Sequence, residues 1–371
     1  LCQQLGETSE KSQVLWGLWT FHILRAELNT ALQIAEEFLR MAERLPFAGL
    51  AMRGQMAMEI SYTHMGEHAL AIERFEKAFQ LFDPELHRDD AFLYALNPGI
   101  AMRCFASWSL WFLGCPDQSL QRIQEALSLA RELSEPHTMA HVLFFAAILH
   151  QLRREARTAQ EYADATIDVA SGHGLAMYQA LGNMTRGWAL IEQGEDTTLI
   201  ESIREGLAAV LATGATLMRP HFLALLAESW IRAGRNDEAL RVLEDALETA
   251  HRTGEKSYLA DLYRLKGECL LNQSTNRRAF RAATAGSVVV DSAASVMARG
   301  EDCLNEAIRI ARIQNAKSLE LRAAVSLARH YRDRGEANKA VGLLAPVYLS
   351  FTEGWDTNDL REAKALIDEL N

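Results

Sequence analysis

The chain has 371 residues, 49% of them hydrophobic, and its 38 basic and 49 acidic residues give a formal net charge of −11. This acidic balance argues against a nucleic-acid-binding surface, which needs clustered Lys and Arg to neutralise phosphates. The longest uncharged apolar run, residues 142–149, is far shorter than the ~20 residues that cross a bilayer, so we predict no membrane span and no membrane partner. The length allows two or three globular domains or one repeat array.

The cysteines and the N-terminal residues favour a cytoplasmic location. No basic stretch followed by an apolar core and a small-residue cleavage site occurs near Leu1, so we predict no secretory signal. The five cysteines have no C-x-x-C spacing, and an odd number of scattered cysteines is typical of a reducing compartment. We also expect the chain to be part of a longer protein, because it begins with Leu.

A repeat of 40 residues organises the sequence. Its clearest unit, MGEHALAIERFEKA at residues 65–78, matches the turn and second helix of a tetratricopeptide (TPR) unit with its A-x-x-x-F pattern. Equivalent positions recur at intervals of 40, 48, 40, 40, 40, 61 and 40 residues. These anchor positions are Ala31, Ala71, Ser119, Ala159, Leu199, Ala239, Gly300 and Ala340. The predicted repeats are 7–46, 47–86, 95–134, 135–174, 175–214, 215–254, 255–315 and 316–355.

Turn residues agree with this register. Five positions before the anchors stand Gly66, Gly114, Gly194, Gly234 and Gly335, with Ala26, Arg154 and Ser295 as departures. Fifteen positions after the anchors stand Gly174, Gly214, Gly254 and Asn315, residue types that accept a left-handed helix end. Six prolines fall at predicted joints or helix starts: Pro46, Pro84, Pro98, Pro116, Pro136 and Pro220.

Three segments depart from the repeat. The insertion near 82–99 is predicted to be an ordered loop, and the Ala/Ser-rich insertion at 274–300 a protruding, partly disordered loop. Pro346 lies inside the last second helix and is predicted to kink or end it. Residues 356–370 are predicted to form a capping helix with a charged outer face. Together these features predict an all-α, right-handed TPR-like superhelix of about eight helical hairpins and a capping helix, in a single domain covering 1–371.

The sequence resembles a known group: the C-terminal TPR region of large bacterial signalling ATPases that carry a nucleotidyl cyclase domain or a helix-turn-helix output. The resemblance covers nearly the whole chain, except that 274–300 is longer than expected. It lies in the segments FHILRAELNTALQIAEEFLRMAE, FDPELHRDD, NPGIAMRCFASWSLWFLGCPDQSL, HQLRREA, RGWALIEQGE, RPHFLALLAES, LADLYRLKGE, AKSLELRAAVSLARHYRDRGE and FTEGWDTNDLREAKALIDEL. The resemblance implies a sensor and scaffold arm whose ATPase and output chemistry lies in other domains.

No catalytic motif accompanies the repeats. The sequence has no G-x-x-x-x-G-K-[ST] loop, G-x-S-x-G elbow, H-E-x-x-H motif or EF-hand loop. The pairs His64/His68 and His137/His141 have the i, i+4 spacing of zinc ligands, but no further ligand completes either set, so we interpret them as structural. We therefore predict a non-enzymatic chain without a cofactor or metal.

The candidate binding site is the inner face of the superhelix, formed by the first helix of each hairpin. It is predicted to change from aromatic residues in repeats three to five to charged residues in repeats six to eight. The residues singled out are Trp108, Trp111, Phe112, Phe144, Gln151, Met184, Trp188, His221, Glu228, Arg232, Arg264 and Arg329. Two interpretations remain open: a groove that binds an apolar peptide or helix with carboxylates at its Arg-rich end, or a tightly wound superhelix that buries the aromatic part as core.

The predicted function is a protein-interaction and sensor scaffold. Its partner is expected to be a protein or peptide segment, including its own upstream ATPase or output domains. The alternative is a sensor that binds a small-molecule effector in the groove.

Overall fold

The computed structural model describes residues 9–45, 49–85, 87, 96–283 and 293–371. In these ranges it contains 17 α-helices and no β-strand, which confirms the predicted all-α class. The helices are α1 (Ser9–Leu24), α2 (Leu28–Ala42), α3 (Leu50–Met65), α4 (His68–Leu81), α5 (Pro98–Phe112), α6 (Pro116–Leu133), α7 (Pro136–Leu152), α8 (Ala156–His173), α9 (Ala176–Glu192), α10 (Ile200–Ala212), α11 (Arg219–Arg232), α12 (Asn236–Thr253), α13 (Leu259–Ala283), α14 (Ala293–Ile313), α15 (Lys317–Asp333), α16 (Ala337–Leu349) and α17 (Asn358–Leu370).

Successive helices pair into eight antiparallel hairpins, from α1–α2 to α15–α16, and α17 closes the array. The period follows from the helix starts: α7 begins at Pro136 and α9 at Ala176, 40 residues later. Each hairpin packs on its neighbours through the apolar faces of its helices. The result is a TPR-like α-solenoid, as the repeat predicts.

The predicted turn positions have the left-handed backbone that the register requires, except Ser295, which lies inside α14. Gly66, for example, ends α3 with φ 77°, and Ala26 and Arg154, which depart from glycine, take the same conformation with φ 55° and 58°. Gly66 is further constrained because a Cβ there would lie only 2.3 Å from the Gln314 side chain. A side chain at this turn is thus excluded both by backbone strain and by a neighbour from the other half of the chain.

Prolines and caps mark the helix starts. Pro98, Pro116 and Pro136 are the first residues of α5, α6 and α7, where the missing N–H costs no helical hydrogen bond. Asn97 caps α5 by accepting a hydrogen bond from the Ile100 amide, and Glu135 caps α7 by accepting from the His137 and Thr138 amides. Pro46 lies outside the described residues.

Pro346 lies inside α16, which continues beyond it to Leu349, so of the two predicted effects the proline does not end the helix at its own position. One prediction needs correction. Residues 274–283 and 293–300, predicted as a loop, are helical and extend α13 and α14. Residues 284–292 lie outside the described part of the chain, and so do residue 86 and residues 88–95 of the first insertion.

Successive turns of the superhelix touch each other along a line of contacts that we call the seam. On one side of the seam lie the turns between the two helices of a hairpin, and on the other side lie the segments that join one hairpin to the next. The Leu24 carbonyl accepts from the Thr216 amide at 2.8 Å, and the His64 carbonyl accepts from the Lys256 amide at 3.0 Å.

Further along the seam, the Trp111 carbonyl accepts from Ser318 Oγ at 2.6 Å, and the Arg154 carbonyl accepts from Asn358 Nδ2 at 2.8 Å. Hairpins one, two and three therefore meet the starts of hairpins six, seven and eight, and hairpin four meets α17. Five hairpins make one superhelical turn, and the second turn rests directly on the first.

We expect the Ser318→Ala variant to lose about 1 kcal/mol of unfolding free energy, because it removes a buried hydrogen bond across the seam. Urea denaturation of the full chain measures this loss. The matched control is Ser350→Ala, because the Ser350 hydroxyl bonds only the Val347 carbonyl of its own helix at an exposed position. Equal stabilities of the two variants would contradict a contribution from the seam.

Candidate functional site

The aromatic part of the predicted site is enclosed by the superhelix. Trp108 stacks on Phe145 with ring centroids 4.0 Å apart and donates its indole N–H to the Phe145 carbonyl. The Arg322 guanidinium lies 4.8 Å from the centre of the Trp111 ring and covers it from the second turn. Seven of the predicted residues are at most 3% exposed: Trp108, Trp111, Phe112, Phe144, Met184, Trp188 and His221.

At these positions, apart from Trp188, which also lines the cavity described below, the structure shows core packing and not an open groove. The reason is the tight winding: with five hairpins in a turn, first helices from both turns converge on the axis. Phe112 of α5, for example, contacts Tyr258 just before α13 with ring centroids 5.5 Å apart. Side chains that would line a wide groove fill the interior instead.

Four histidines lie in this interior. His68 stacks on Phe112 at 4.2 Å, His221 packs on Tyr258 at 4.1 Å, and His64 contacts the edge of Phe105. His141 Nδ1 lies 3.0 Å from the Tyr178 hydroxyl. Burial lowers the pKa of His64 to about 4 and those of His68, His141 and His221 to about 3. Among the described residues, no group of three or more His, Cys, Asp or Glu is arranged to hold a metal ion.

The charged part of the predicted site forms an open cavity of about 260 Å³ near the C-terminal end of the superhelix. Five arginines and five acidic residues line it, so their formal charges balance. The lining residues are Gln151, Arg154, Trp188, Glu192, Glu228, Ile231, Arg232, Arg264, Leu265, Glu268, Leu321, Arg322, Val325, Ser326, Arg329, Asp359 and Glu362. Six of the twelve predicted site residues are brought together here: Gln151, Trp188, Glu228, Arg232, Arg264 and Arg329.

Arg264 on α13 is the centre of one ion-pair network in this cavity. Its guanidinium donates to Asp261 at 2.7 Å and to Glu268 at 3.0 Å, and it reaches Glu228 of α11 at 3.4 Å. The second oxygen of Glu228 accepts from the Trp188 indole at 2.9 Å. Three first helices are thus held in register by one arginine.

A second network joins α15 and α17 to the turn after α7. Arg322 donates to Asp359 at 2.9 Å and also to the Leu152 carbonyl. Glu362 pairs with Arg329 and, at 2.6 Å, with Arg154. The cavity wall is therefore completed across the seam.

Gln151 Oε1 in the wall has no hydrogen-bond donor among the described residues, whereas Asp359 Oδ1, which also accepts no hydrogen bond, lies in an ion pair 3.5 Å from Arg154 Nη1. Gln151 is 5% exposed and Asp359 is 8% exposed, so access of water to both is restricted. A buried acceptor without a partner is unfavourable by about 1–3 kcal/mol. The Gln151 oxygen is thus a position in the cavity at which a donor would be stabilising.

The acidic groups of the cavity differ in their affinity for protons. Burial, together with the neighbouring Asp261 carboxylate, raises the pKa of Glu228 to about 7. Burial would also raise the pKa of Asp261, but Arg264 outweighs it and holds this pKa below the ordinary value. Near neutral pH the Glu228 carboxyl therefore gains or loses a proton more readily than its neighbours do.

The predicted site residues did not include Arg154, Asp359 or Glu362. Arg154 occupies a turn position where glycine is the rule, and this departure was a signal in the sequence. Asp359 and Glu362 lie on the capping helix, where acidic residues are expected on the solvent face. Their placement against Arg154 and Arg322 depends on the seam, which a repeat register does not reveal.

The fold and the site define a TPR-like repeat scaffold. A family model described as Anaphase-promoting complex subunit 5 matches residues 71–153 and 218–266, less than half of the chain. An uncharacterized protein of Rhizobium meliloti (strain 1021) is 24% identical over 158 residues, which are 43% of this chain and 15% of that protein. The chain therefore matches a small part of a much longer relative.

Three solved structures share the fold over most of the chain. A Rap protein complexed with competence and sporulation factor superimposes with a TM-score of 0.58, at 10% identity, over 98% of both chains. A Rap conjugation gene regulator in complex with a peptide gives a TM-score of 0.52 at 10% identity, over 97% of this chain and 95% of that one. An IFIT1 mutant with Gppp-AAAA gives 0.51 at 15% identity, over 94% and 76%. At these sequence identities the similarity concerns the fold alone.

A search of the described helices finds none that is long and apolar enough to cross a membrane.

The four buried histidines each make a contribution that destabilises the fold as the pH falls. Their pKa values in the folded chain lie below the ordinary 6.5, so the unfolded chain binds more protons as the pH falls below 6.5. Burial raises the pKa values of Glu59, Glu228 and Glu255, and these groups contribute in the opposite direction, so a histidine variant is needed to isolate the histidine contribution. Each histidine then removes about 1.4 kcal/mol of stability between pH 7.5 and 5.5. Urea denaturation of the unmodified chain and of a histidine variant at the two pH values measures this contribution.

The His68→Gln variant should show a pH-dependent loss smaller than that of the unmodified chain by this amount. His251→Gln is the control, because His251 lies exposed on α12 and its replacement should leave the loss unchanged. If His68→Gln retained the full pH dependence, the linkage to His68 would be refuted.

Proposed function

We propose that the chain is a non-catalytic scaffold that binds a peptide or protein segment in the charged cavity. The observation that carries this proposal is the unpartnered acceptor Gln151 Oε1, within a wall of mutually paired charges. A peptide backbone supplies N–H donors, which are the groups that this atom lacks.

The balanced charges favour a ligand with groups of both signs. The exposed pairs Arg232–Glu192 and Arg329–Glu362 can exchange partners with a carboxylate or ammonium group of a ligand. Such an exchange replaces one ion pair by another and leaves no buried charge unpaired. A purely apolar peptide would find little complementary surface here, so the proposed ligand differs from the apolar segment considered for an aromatic groove.

The fold neighbours support a peptide ligand by analogy. One of the two Rap structures is a complex with competence and sporulation factor, and the other is a complex with a peptide. Their low identity makes this an analogy of fold, and the residues of the cavity carry the proposal in this chain.

A small-molecule effector is the second candidate, and the size of the cavity favours it. A volume of about 260 Å³ lies just below the ~300–1,000 Å³ that is typical of small-molecule sites. A zwitterionic metabolite would present the same charged groups as a short peptide. Ligand length separates the two candidates, because a longer peptide gains contacts beyond the cavity and a metabolite cannot.

We further propose that the scaffold is the sensor arm of a larger signalling ATPase. The resemblance of the repeat segments to such proteins supports this proposal, as does the match to a small part of a much longer relative. In that setting, occupancy of the cavity would be transmitted to the ATPase and output domains through the superhelix.

The test is a calorimetric titration with four sets of hexapeptides: mixed-charge, acidic, basic and uncharged. We expect the mixed-charge set to bind, and the Gln151→Leu and Arg329→Gln variants to bind it at least about tenfold more weakly, since each loses an interaction of about 1.4 kcal/mol. Arg312→Gln is the control, because Arg312 pairs with Glu320 outside the cavity.

Failure of all four sets to bind, or equal affinity in all variants, would refute the peptide proposal. Single amino acids and dipeptides are titrated in parallel. Binding of these with no gain from longer peptides would select the small-molecule candidate instead.

A further inference from the structure

A second cavity, of about 520 Å³, adjoins the charged cavity along α15, and we call it the distal cavity. The residues that line only the distal cavity include Leu271, Ser274, Met297, Arg332, Asp333 and Arg334. Three residues line both cavities: Glu268, Ser326 and Arg329. The two cavities are therefore parts of one continuous groove.

The insertion in the seventh hairpin supplies part of the wall of the distal cavity. Helices α13 and α14 have 25 and 21 residues, whereas α7 and α8 have 17 and 18. Ser274 and Met297 lie at the base of this extension, where the repeat predicts a loop. The base is closely packed, because a Cβ at Gly267 would lie only 2.9 Å from the Gly300 carbonyl oxygen. Contact between the two helix backbones thus fixes this part of the wall.

The distal cavity carries an excess of positive charge, whereas the charges of the charged cavity balance. Among the described residues, three arginines and two acidic residues line it: Arg329, Arg332, Arg334, Glu268 and Asp333. Glu268 already accepts hydrogen bonds from Arg264, at 3.0 Å, and from Ser326. Burial lowers the pKa of His330, which also lines the cavity, and so favours its neutral form. The distal cavity therefore favours an anionic group of a ligand.

Two of these arginines are held by exposed ion pairs that a ligand can replace. Arg332 lies 2.9 Å from Asp333 and 3.2 Å from Glu369, and its side chain is 35% exposed. Arg334 lies 2.8 Å from Glu336, and its side chain is 40% exposed. Exposed ion pairs of this kind contribute little to stability. A carboxylate of a ligand can therefore exchange with these partners at low cost.

The length of the groove determines the length of the ligand. Arg322 lines the charged cavity, and Arg334 lines the distal cavity twelve positions later in the sequence. A helix rises by ~1.5 Å per residue, so the groove extends for about 18 Å along α15. An extended peptide covers ~3.3 Å per residue, and about six residues span this distance. A single amino acid or a dipeptide reaches only one part of the groove.

We propose that the groove binds an extended peptide of about six residues, which places a carboxylate at Arg332 and Arg334 and a backbone N–H at Gln151 Oε1. The carboxylate is an acidic side chain or the C-terminus of the peptide. This proposal rests on the proposed function, because it assumes that the charged cavity binds a peptide. It adds the length of the ligand, its path along α15 and the position of its acidic group.

The probes are mixed-charge hexapeptides with blocked ends that carry one Asp at the first or the last position. Tripeptides reproduce the half of each hexapeptide that lacks Asp. Calorimetric titration of the full chain measures the affinities, and we expect one of the two hexapeptide arrangements to bind at least about tenfold more tightly than its tripeptide. Hexapeptides with Asn in place of Asp and a free C-terminus test the other source of the carboxylate. Tight binding of either form supports the proposal and identifies that source.

Two variants act on the distal cavity alone. The double variant Arg332→Gln, Arg334→Gln removes two positive charges, and Met297→Glu adds a negative charge. Each should weaken binding of the hexapeptide at least about tenfold and leave the affinity of the tripeptide unchanged. Arg309→Gln is the matched control, because Arg309 is 59% exposed on α14 and does not line either cavity. Circular dichroism verifies that all variants are folded.

The variants separate failure of this proposal from failure of the proposed function. If Gln151→Leu weakens binding of the hexapeptide but the double variant and Met297→Glu do not, the charged cavity binds the peptide and the continuous groove is overturned. If no hexapeptide binds, or if Gln151→Leu has no effect, the proposed function fails and the continuous groove fails with it.

Discussion

The structure depends on the seam, where one turn of the superhelix contacts the next. In an open solenoid each hairpin touches only its neighbours, and stability is close to a sum of local terms. Here hydrogen bonds such as those from Lys256 to the His64 carbonyl and from Ser318 to the Trp111 carbonyl join segments about 200 residues apart. Hairpins that are five units apart therefore stabilise each other. The repeats are coupled between successive superhelical turns as well as between neighbours in sequence.

Closure of the seam determines what the inner face can do. It brings the Arg322 guanidinium over Trp111 and Tyr258 against Phe112, and it removes the aromatic residues from solvent. The charged residues cannot be buried in the same way, because burying an unpaired charge is far less favourable than burying an aromatic ring. They pair with one another around a cavity, so the tight winding that fills the aromatic part leaves the charged part open to a ligand.

The features that could be predicted from the sequence are those that depend on local backbone chemistry, such as turns and helix starts. The glycine at position 66, the helix-starting Pro136 and the 40-residue spacing each follow from backbone geometry, and the structure agrees with them. The number of hairpins in one turn depends on small rotations between hairpins that no single residue encodes. Trp108 is therefore core and Trp188 a cavity residue, although both stand on inner faces in the same repeat pattern.

The same reasoning explains the residues that the sequence did not indicate. Asp359 and Glu362 have the pattern of a solvated cap, and Arg154 that of an irregular turn. Only the seam places them around one cavity. The insertion at 274–300 was misjudged for another reason: its Ala-rich ends are good helix formers, and continuation of α13 and α14 satisfies their backbone groups better than a loop does.

The cavity and the seam share residues, which links ligand binding to closure of the superhelix. Arg322 donates both to Asp359 in the cavity and to the Leu152 carbonyl across the seam, and Arg154 joins Glu362 to the turn after α7. A ligand that takes Asp359 or Glu362 as its partner changes the contacts available to both arginines. A ligand shifts a conformational equilibrium only when it binds the two states with different free energies, and residues shared by the cavity and the seam would supply such a difference. Under the proposed function, occupancy of the cavity would therefore change the packing of one superhelical turn on the next.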